Sequence, residues 1–199
     1  GIIVLAVAIL PLLGVGGMQL YKAETPGPMK DSKLTPRIAG TAKALWLVYF
    51  GITAACIACL KLAGMSWLDA ICHAFAALSL GGFSTYDASV GQFNSPLIEG
   101  ILIFFMMVAG INFATHFVAW RGRSLRCYWK DTEAKAFAAL IFSSIVVCSF
   151  YLWIMDTYDD LGVAFRHVAF NLVSIATDCG FVSVDYDKWP IFVPLWMLF

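Results

Sequence analysis

The sequence predicts an all-α integral membrane protein made of repeated units, each with a long helix, a short helix, a glycine-containing loop and a second long helix. Of the 199 residues, 61% are hydrophobic and 13% are charged, which is too apolar for an ordinary soluble domain. Four apolar runs are long enough to cross a bilayer, which takes about 20 residues. Two similar loops, SLGGFSTYD at 79–87 and TDCGFVSVD at 177–185, each follow a shorter apolar segment.

The four long runs are Gly1–Leu20, Ala44–Leu60, Leu97–Trp120 and Ala136–Met155. Between them the sequence predicts two shorter helices that are too short to span and that enter the membrane and stop. The predicted order along the chain is a helix at 1–20, a loop at 21–43, a helix at 44–64, a short helix at 66–80, a glycine loop at 79–85, a helix at 94–120, a loop at 121–135, a helix at 136–156, a short helix at 162–176, a glycine loop at 177–183 and the start of a helix at 189–199.

The second half of this order repeats the first. When Gly82 is aligned with Gly180, Phe83 matches Phe181 and Asp69 matches His167. Gly81 and Gly82 are expected to end the first short helix and Cys179-Gly180 the second, because glycine is common just past a helix C-terminus. The repeat predicts two units of the same orientation, with both glycine loops on one side of the membrane.

Charge distribution predicts which side that is. Ten of the 13 basic residues lie in the two loops at 21–43 and 121–135. These residues are Lys22, Lys30, Lys33, Arg37, Lys43, Arg121, Arg123, Arg126, Lys130 and Lys135. By the positive-inside rule both basic loops are cytoplasmic, so the glycine loops face the outer, acidic side.

The glycine loops have the chemistry of a cation site. A helix that stops inside the membrane leaves carbonyl groups unpaired, and its C-terminus carries a partial negative charge. Non-helical backbone at that depth survives where it lines a wet cavity, and rings of carbonyls can replace an ion's hydration shell. We therefore expect the carbonyls of residues 79–82 and 177–180 to coordinate a cation. The alternative interpretation is a plain glycine cap on each buried helix.

Other residues have competing interpretations. Asn112 and His116, four residues apart, are candidates for lining a conduction path or for hydrogen bonding between helices. His73 and His167 suit packing or hydrogen bonding, or else an intramembrane enzyme. Cys56 and Cys59 form a CxxC within a predicted membrane helix, which favours buried apolar cysteine over a metal or redox site. Glu99 is expected to be exposed, with a possible role in collecting cations.

Both ends of the chain are apolar and lack polar flanks, and no charged segment precedes the first run. The sequence therefore predicts part of a longer membrane protein rather than a chain that opens with a signal peptide.

Four stretches resemble the bacterial Trk/Ktr/HKT-type potassium transporter family, and most closely the membrane subunit of the Trk system. They are GIIVLAVAILPLLGVGGMQLYKAETPGP at residues 1–28, SLGGFSTYDAS at 79–89, GRSLRCYWKD at 122–131 and SIATDCGF at 174–181. The resemblance implies four covalently linked pore units, each with outer helix, pore helix, filter loop and inner helix, as in potassium channels. It makes residues 1–20 the inner helix of a first unit, 44–120 the second unit and 136–199 an incomplete third unit.

The resemblance also implies the function and the site. Potassium would enter the cell across the inner membrane, bound by the backbone carbonyls of Leu80, Gly81, Asp178 and Cys179. The expected filter residues are Ser79, Leu80, Gly81, Gly82, Phe83, Thr177, Asp178, Cys179, Gly180 and Phe181. The protein would not be an enzyme, and potassium would be its transported ion, with no organic cofactor in this chain.

Partners follow from the same resemblance. They are membrane lipids, the missing pore units, a second copy in a homodimer and a cytoplasmic nucleotide-binding regulatory subunit of the Trk A type, with no nucleic acid. The alternatives are a less selective sodium- and potassium-conducting protein, a cation symporter of the same architecture, or a structural subunit. Asp178 departs from the small or hydroxyl residues usual before this glycine. Its carboxylate is expected either to attract cations or to turn behind the filter.

Overall fold

The computed structural model describes residues 38–122 and 126–198. The predicted helix at 1–20 and the loop residues 21–37 lie outside this range. Within it the regular structure is helical throughout. The α-helices, in chain order, are α1 Ile38–Leu62, α2 Trp67–Leu78, α3 Pro96–Gly110, α4 Phe113–Gly122, α5 Arg126–Lys130, α6 Thr132–Ile154, α7 Leu161–Ala176 and α8 Phe192–Met197. Short 3-10 helices lie at Ser89–Phe93 and Tyr186–Lys188.

Helices α1 and α6 are the long helices of the predicted repeat. The segments Leu45–Leu62 and Thr132–Ile154 are long and apolar enough to cross a membrane. Large apolar side chains such as Phe50 and Phe142 are exposed on them, as expected for helices that face lipid. Helix α6 starts earlier than predicted because Asp131 Oδ1 accepts the backbone N–H of Glu133 at 3.0 Å. Helix α1 also starts earlier, so residues 38–43 are helical rather than part of a loop.

Helices α2 and α7 are the two short helices. They have 12 and 16 residues, too few to span a bilayer. Ser66 and Asp160 cap their N-termini, accepting backbone N–H groups of Asp69 and Val163, each at 3.1 Å. Asp160 therefore starts α7.

The helix predicted at 94–120 is instead two helices. Helix α3 ends at Gly110 and α4 begins at Phe113, with Ile111 and Asn112 between them. Glycine and asparagine are weak helix formers, and the Asn112 carbonyl accepts the Thr115 N–H at 3.0 Å as the next helix starts. The predicted final helix likewise begins only at Phe192, after Pro190.

The chain divides into two compact units. Described residues within 1–52 and 111–135 form one unit, where Phe117 packs against Val48. In that unit Thr115 Oγ1 donates to Asp131 at 2.9 Å. Residues 53–110 and 136–198 form the other unit, in which α3 packs against both α2 and α7. This second unit contains both glycine loops.

Candidate functional site

Both short helices end in the same hydrogen-bonded turn. After α2, the N–H of Gly81 bonds to the Ala76 carbonyl at 2.8 Å and the N–H of Leu80 to the Ala77 carbonyl at 3.4 Å. After α7, the N–H of Cys179 bonds to the Ser174 carbonyl at 2.8 Å and that of Asp178 to Ile175 at 2.9 Å. This pattern is the Schellman motif, in which one residue past the helix adopts a left-handed conformation.

The left-handed residue of that motif is not glycine, as the sequence had suggested, but Leu80 in one loop and Asp178 in the other, with φ of 53° and 58°. The glycine two residues further on is left-handed again, at 63° for Gly82 and 88° for Gly180. A positive φ thus recurs at alternate residues of each loop.

Among the described residues, no hydrogen bond reaches the carbonyls of residues 79–82 or 177–180, which include those of Leu80, Gly81, Asp178 and Cys179, the positions expected to bind an ion. The Schellman turns pair the carbonyls of Ala76, Ala77, Ser174 and Ile175. The carbonyls of the last helical residues, Leu78 and Ala176, have no hydrogen bond among the described residues either.

The two loops meet at Gly82. A Cβ atom there would overlap the carbonyl oxygen of Cys179 and lie 2.9 Å from the carbonyl carbon of Gly180. The Cys179 Sγ also lies 3.8 Å from the Ala76 carbonyl oxygen, at the end of the other short helix. By contrast, a Cβ at Gly81 would meet side chains only, with Ser79 Oγ nearest at 3.3 Å. The close approach therefore requires glycine at 82.

Gly180 and the two filter phenylalanines differ from this pattern. A Cβ at Gly180 would meet nothing within 4 Å among the described residues. Phe181 is fully buried and stacks on the His73 ring, with centroids 5.6 Å apart and planes at 23°. Its repeat partner Phe83 is 81% exposed. The two loops share a backbone turn but have different neighbours.

Each loop is fastened to its own short helix by one buried polar side chain. The His73 ring nitrogens lie 2.8 Å from the Asp69 carbonyl and 2.9 Å from Ser84 Oγ. The Asn171 Nδ2 donates to Ser183 Oγ at 3.0 Å, and its Oδ1 accepts the Ser183 N–H at 3.2 Å. His73 thus hydrogen-bonds and packs. Asn171 was missed, although its alignment with His73 in the repeat could have identified it.

The outer end of α2 holds a carboxylate network. Asp69, buried, accepts from Thr85 Oγ1 at 2.6 Å, Ser66 Oγ at 2.7 Å and Tyr86 OH at 3.3 Å. The proximity of the Asp69 carboxylate raises the pKa of the Tyr86 hydroxyl. This network fixes Thr85, the last residue of the first loop, and Tyr86, which follows it.

Glu99 differs from its prediction. It is only 2% exposed and forms a two-point ion pair with Arg166 of α7, at 2.8 Å from Nε and 2.7 Å from Nη2. Arg166 also donates to Asn94 Oδ1 at 3.2 Å. The expected cation-collecting role is therefore wrong for Glu99, because its charge is neutralised by an arginine 67 positions away. The pair joins α3 to α7.

The structure also gives the surroundings of Asp178, His116 and the cysteines. The side chain of Asp178 is exposed among the described residues, and both interpretations of its role remain predictions. His116 is buried and its Nδ1 lies 2.7 Å from the Tyr128 hydroxyl. Pore lining by Asn112 and His116 remains a prediction. The described cysteines are free thiols, and no group of three or more metal-ligating side chains occurs among the described residues.

Comparison with known proteins places this arrangement in a family. The TrkH family model, described as a cation transport protein, matches residues 1–199. The chain is 50% identical to the Trk system potassium uptake protein TrkH of Escherichia coli K12, over 198 residues that make up 100% of this chain and 41% of that protein. It is 42% identical to TrkG of the same organism, again covering 41% of it.

A solved structure has the same fold. The crystal structure of the potassium transporter TrkH from Vibrio parahaemolyticus matches with a TM-score of 0.81 and 42% identity, over 99% of this chain and 39% of that one. The chain thus spans about two fifths of the length of these relatives. It has the all-α, pore-helix type of membrane fold, and its relatives are named as transporters rather than enzymes. Since the family model covers every residue, the chain belongs to the TrkH family of cation transport proteins.

Proposed function

We propose that this chain forms part of a potassium uptake pore in which the carbonyls of Leu80, Gly81, Asp178 and Cys179 coordinate the ion. The observation that carries the proposal is the repeated turn. Two loops with the same pattern of positive φ approach each other at Gly82, and both present carbonyl groups that have no hydrogen bond within the described part of the chain. Carbonyl oxygens are suitable ligands for a dehydrated potassium ion.

The proposal extends to the whole protein. Four such units would complete the ring of carbonyls, with two supplied by parts of the protein outside this chain. The names of the relatives support potassium as the ion and a multi-component Trk system as the setting. In that setting the protein spans the inner membrane as a homodimer, its filter loops face the periplasm, and its basic loops meet a cytoplasmic nucleotide-binding subunit of the Trk A type.

A second candidate is a less selective sodium- and potassium-conducting protein, or a cation symporter. Each loop has a single left-handed glycine, which makes a short filter, and the exposed Asp178 carboxylate would attract either ion. Sodium and potassium fluxes measured on the same vesicles separate this candidate from the first. A pH change inside the vesicles that accompanies uptake would indicate proton coupling.

The test is potassium flux into vesicles that contain the full-length protein. Gly82→Asp is expected to abolish the flux, because the new side chain would overlap the Cys179 carbonyl and add a charge at the filter. Gly100→Ala is the matched control, since a Cβ there meets nothing within 4 Å. Wild-type flux through Gly82→Asp would overturn the proposal.

A further inference from the structure

The two loops make different contacts with each other's units. The third-unit loop, residues 177–183, contacts the second-unit pore helix α2. Phe181 stacks on His73, and the Cys179 thiol reaches the Ala76 carbonyl. In return, Gly82 of the second-unit loop fits against the backbone of Cys179 and Gly180.

The repeat equivalents of Phe181 and Gly82 lie at the outer edges of the pair of loops, and among the described residues they do not make these contacts. Phe83, which repeats Phe181, is 81% exposed, although its neighbour Gly82 is closely packed. At the opposite edge the Cβ direction of Gly180, which repeats Gly82, is open among the described residues. One edge of the pair of loops therefore has an exposed phenylalanine, and the other has a glycine against which no described residue packs. These are the same two kinds of surface that meet where the two loops contact each other.

We infer that Phe83 packs against the pore helix of the preceding pore unit, on the residue that occupies the place of His73 there. The occupant is a segment of the same full-length chain that precedes residue 1. Three observations select it over lipid or a second copy: the Phe181–His73 contact supplies the geometry, the repeat supplies an equivalent pore helix, and the chain covers only 41% of its relatives. This inference rests on the proposed repetition of pore units.

Aromatic stacking makes the contact specific. A phenylalanine on an imidazole or another flat side chain gains energy beyond its buried area, and its ring orientation is restricted. Phe83 follows Gly82 directly, so a fixed Phe83 ring also fixes the left-handed glycine beside it. Each filter loop would then be held on one side by its own phenylalanine and on the other by its own glycine.

Photo-crosslinking of the full-length protein tests the inference. A benzoyl-phenylalanine in place of Phe83 is expected to crosslink within one chain to a peptide that precedes residue 1. The same label in place of Phe142, an exposed phenylalanine on α6, is the control and should not give that peptide. Mixing isotope-labelled and unlabelled copies separates crosslinks within one chain from those between copies.

The outcomes are distinct. A crosslink from position 83 to a second copy, to lipid alone, to residues 38–198, or to nothing would overturn the inference. Potassium flux is measured separately on the full-length wild-type protein. The expected crosslink without flux in the wild-type protein would reject the proposed function but keep the contact. Flux with any other crosslink would reject the contact alone.

Discussion

Replacing Gly82 by alanine should damage the filter, whereas the same change at Gly81 should not. At Gly82 the added methyl group would overlap the Cys179 carbonyl oxygen and lie 2.9 Å from the Gly180 carbonyl carbon. Both obstacles are backbone, which cannot move aside as a side chain can. The residue also has a φ of 63°, where an L-residue is strained.

The size of the effect follows from two terms. The left-handed conformation costs an alanine about 1–2 kcal/mol, and overpacking typically costs about 1–3 kcal/mol. The sum is roughly 2–5 kcal/mol, and each ~1.4 kcal/mol lowers the population of the native loop tenfold. Potassium uptake by Gly82→Ala should therefore fall more than tenfold, even where the protein still folds and reaches the membrane.

The assay is potassium uptake by vesicles that contain equal amounts of each full-length variant. Gly81→Ala is the matched control, because its φ is not positive and the nearest obstacles are the Ser79 and Phe83 side chains, at 3.3 and 3.4 Å. Its uptake should stay close to that of the wild type. Wild-type uptake by Gly82→Ala, or an equal loss in both variants, would refute the reasoning.

Three further predictions concern polar groups. Arg166→Ala should destabilise the full-length protein by about 3–5 kcal/mol by leaving the Glu99 carboxylate buried and unpaired. In thermal unfolding, Lys188→Ala is the control, because it breaks an exposed ion pair in which Lys188 Nζ lies 3.1 Å from the Asp185 carboxylate. An equally small shift for Lys188→Ala and Arg166→Ala would contradict this. His73→Ala should lower the free energy of unfolding by about 1–3 kcal/mol because it removes a buried hydrogen-bonding group. His73→Asn should recover part of that loss. Equal unfolding temperatures for the two variants would show that His73 does not hold the loop through its hydrogen bonds. Asp178→Asn should raise the KM for potassium several-fold with little change in maximal rate, since a unit charge within 4 Å is worth about 1 kcal/mol in water; an unchanged KM would remove the carboxylate from the ion path.

Much of the fold was predictable because a helix that crosses a membrane needs a long apolar run, which is easy to identify in a sequence. Helices α1 and α6 follow from the length of their apolar runs, and α2 and α7 from being too short to cross. The pairing of Gly82 with Gly180 was visible as a repeat and corresponds to two turns of the same conformation.

Three other features were not predicted from the sequence, and one of them depends on a distant part of the chain. Leu80 and Asp178 adopt left-handed conformations because the Schellman bonds outweigh their intrinsic preference. Glu99 looked exposed because its partner Arg166 is 67 positions away. The break in the helix predicted at 94–120 involves weak helix formers that a purely apolar pattern overlooks.

The two filter phenylalanines show that equivalent sequence positions can have different environments. Phe83 and Phe181 follow glycines at equivalent positions of a repeat, yet one is exposed and the other fully buried. Their local sequences predict one environment for both. The difference arises from what lies beside each loop, because α2 and its His73 ring cover Phe181, whereas the described residues leave Phe83 81% exposed.

The central claim is that loop carbonyls bind the transported ion. Its most direct test is a crystal structure of the full-length protein with rubidium or thallium in place of potassium, analysed by anomalous scattering. We expect a peak on the axis bounded by the carbonyl oxygens of Leu80, Gly81, Asp178 and Cys179, and its loss in Gly82→Ala. A peak held only by the Asp178 carboxylate, or none between the loops in a protein that transports potassium, would contradict it.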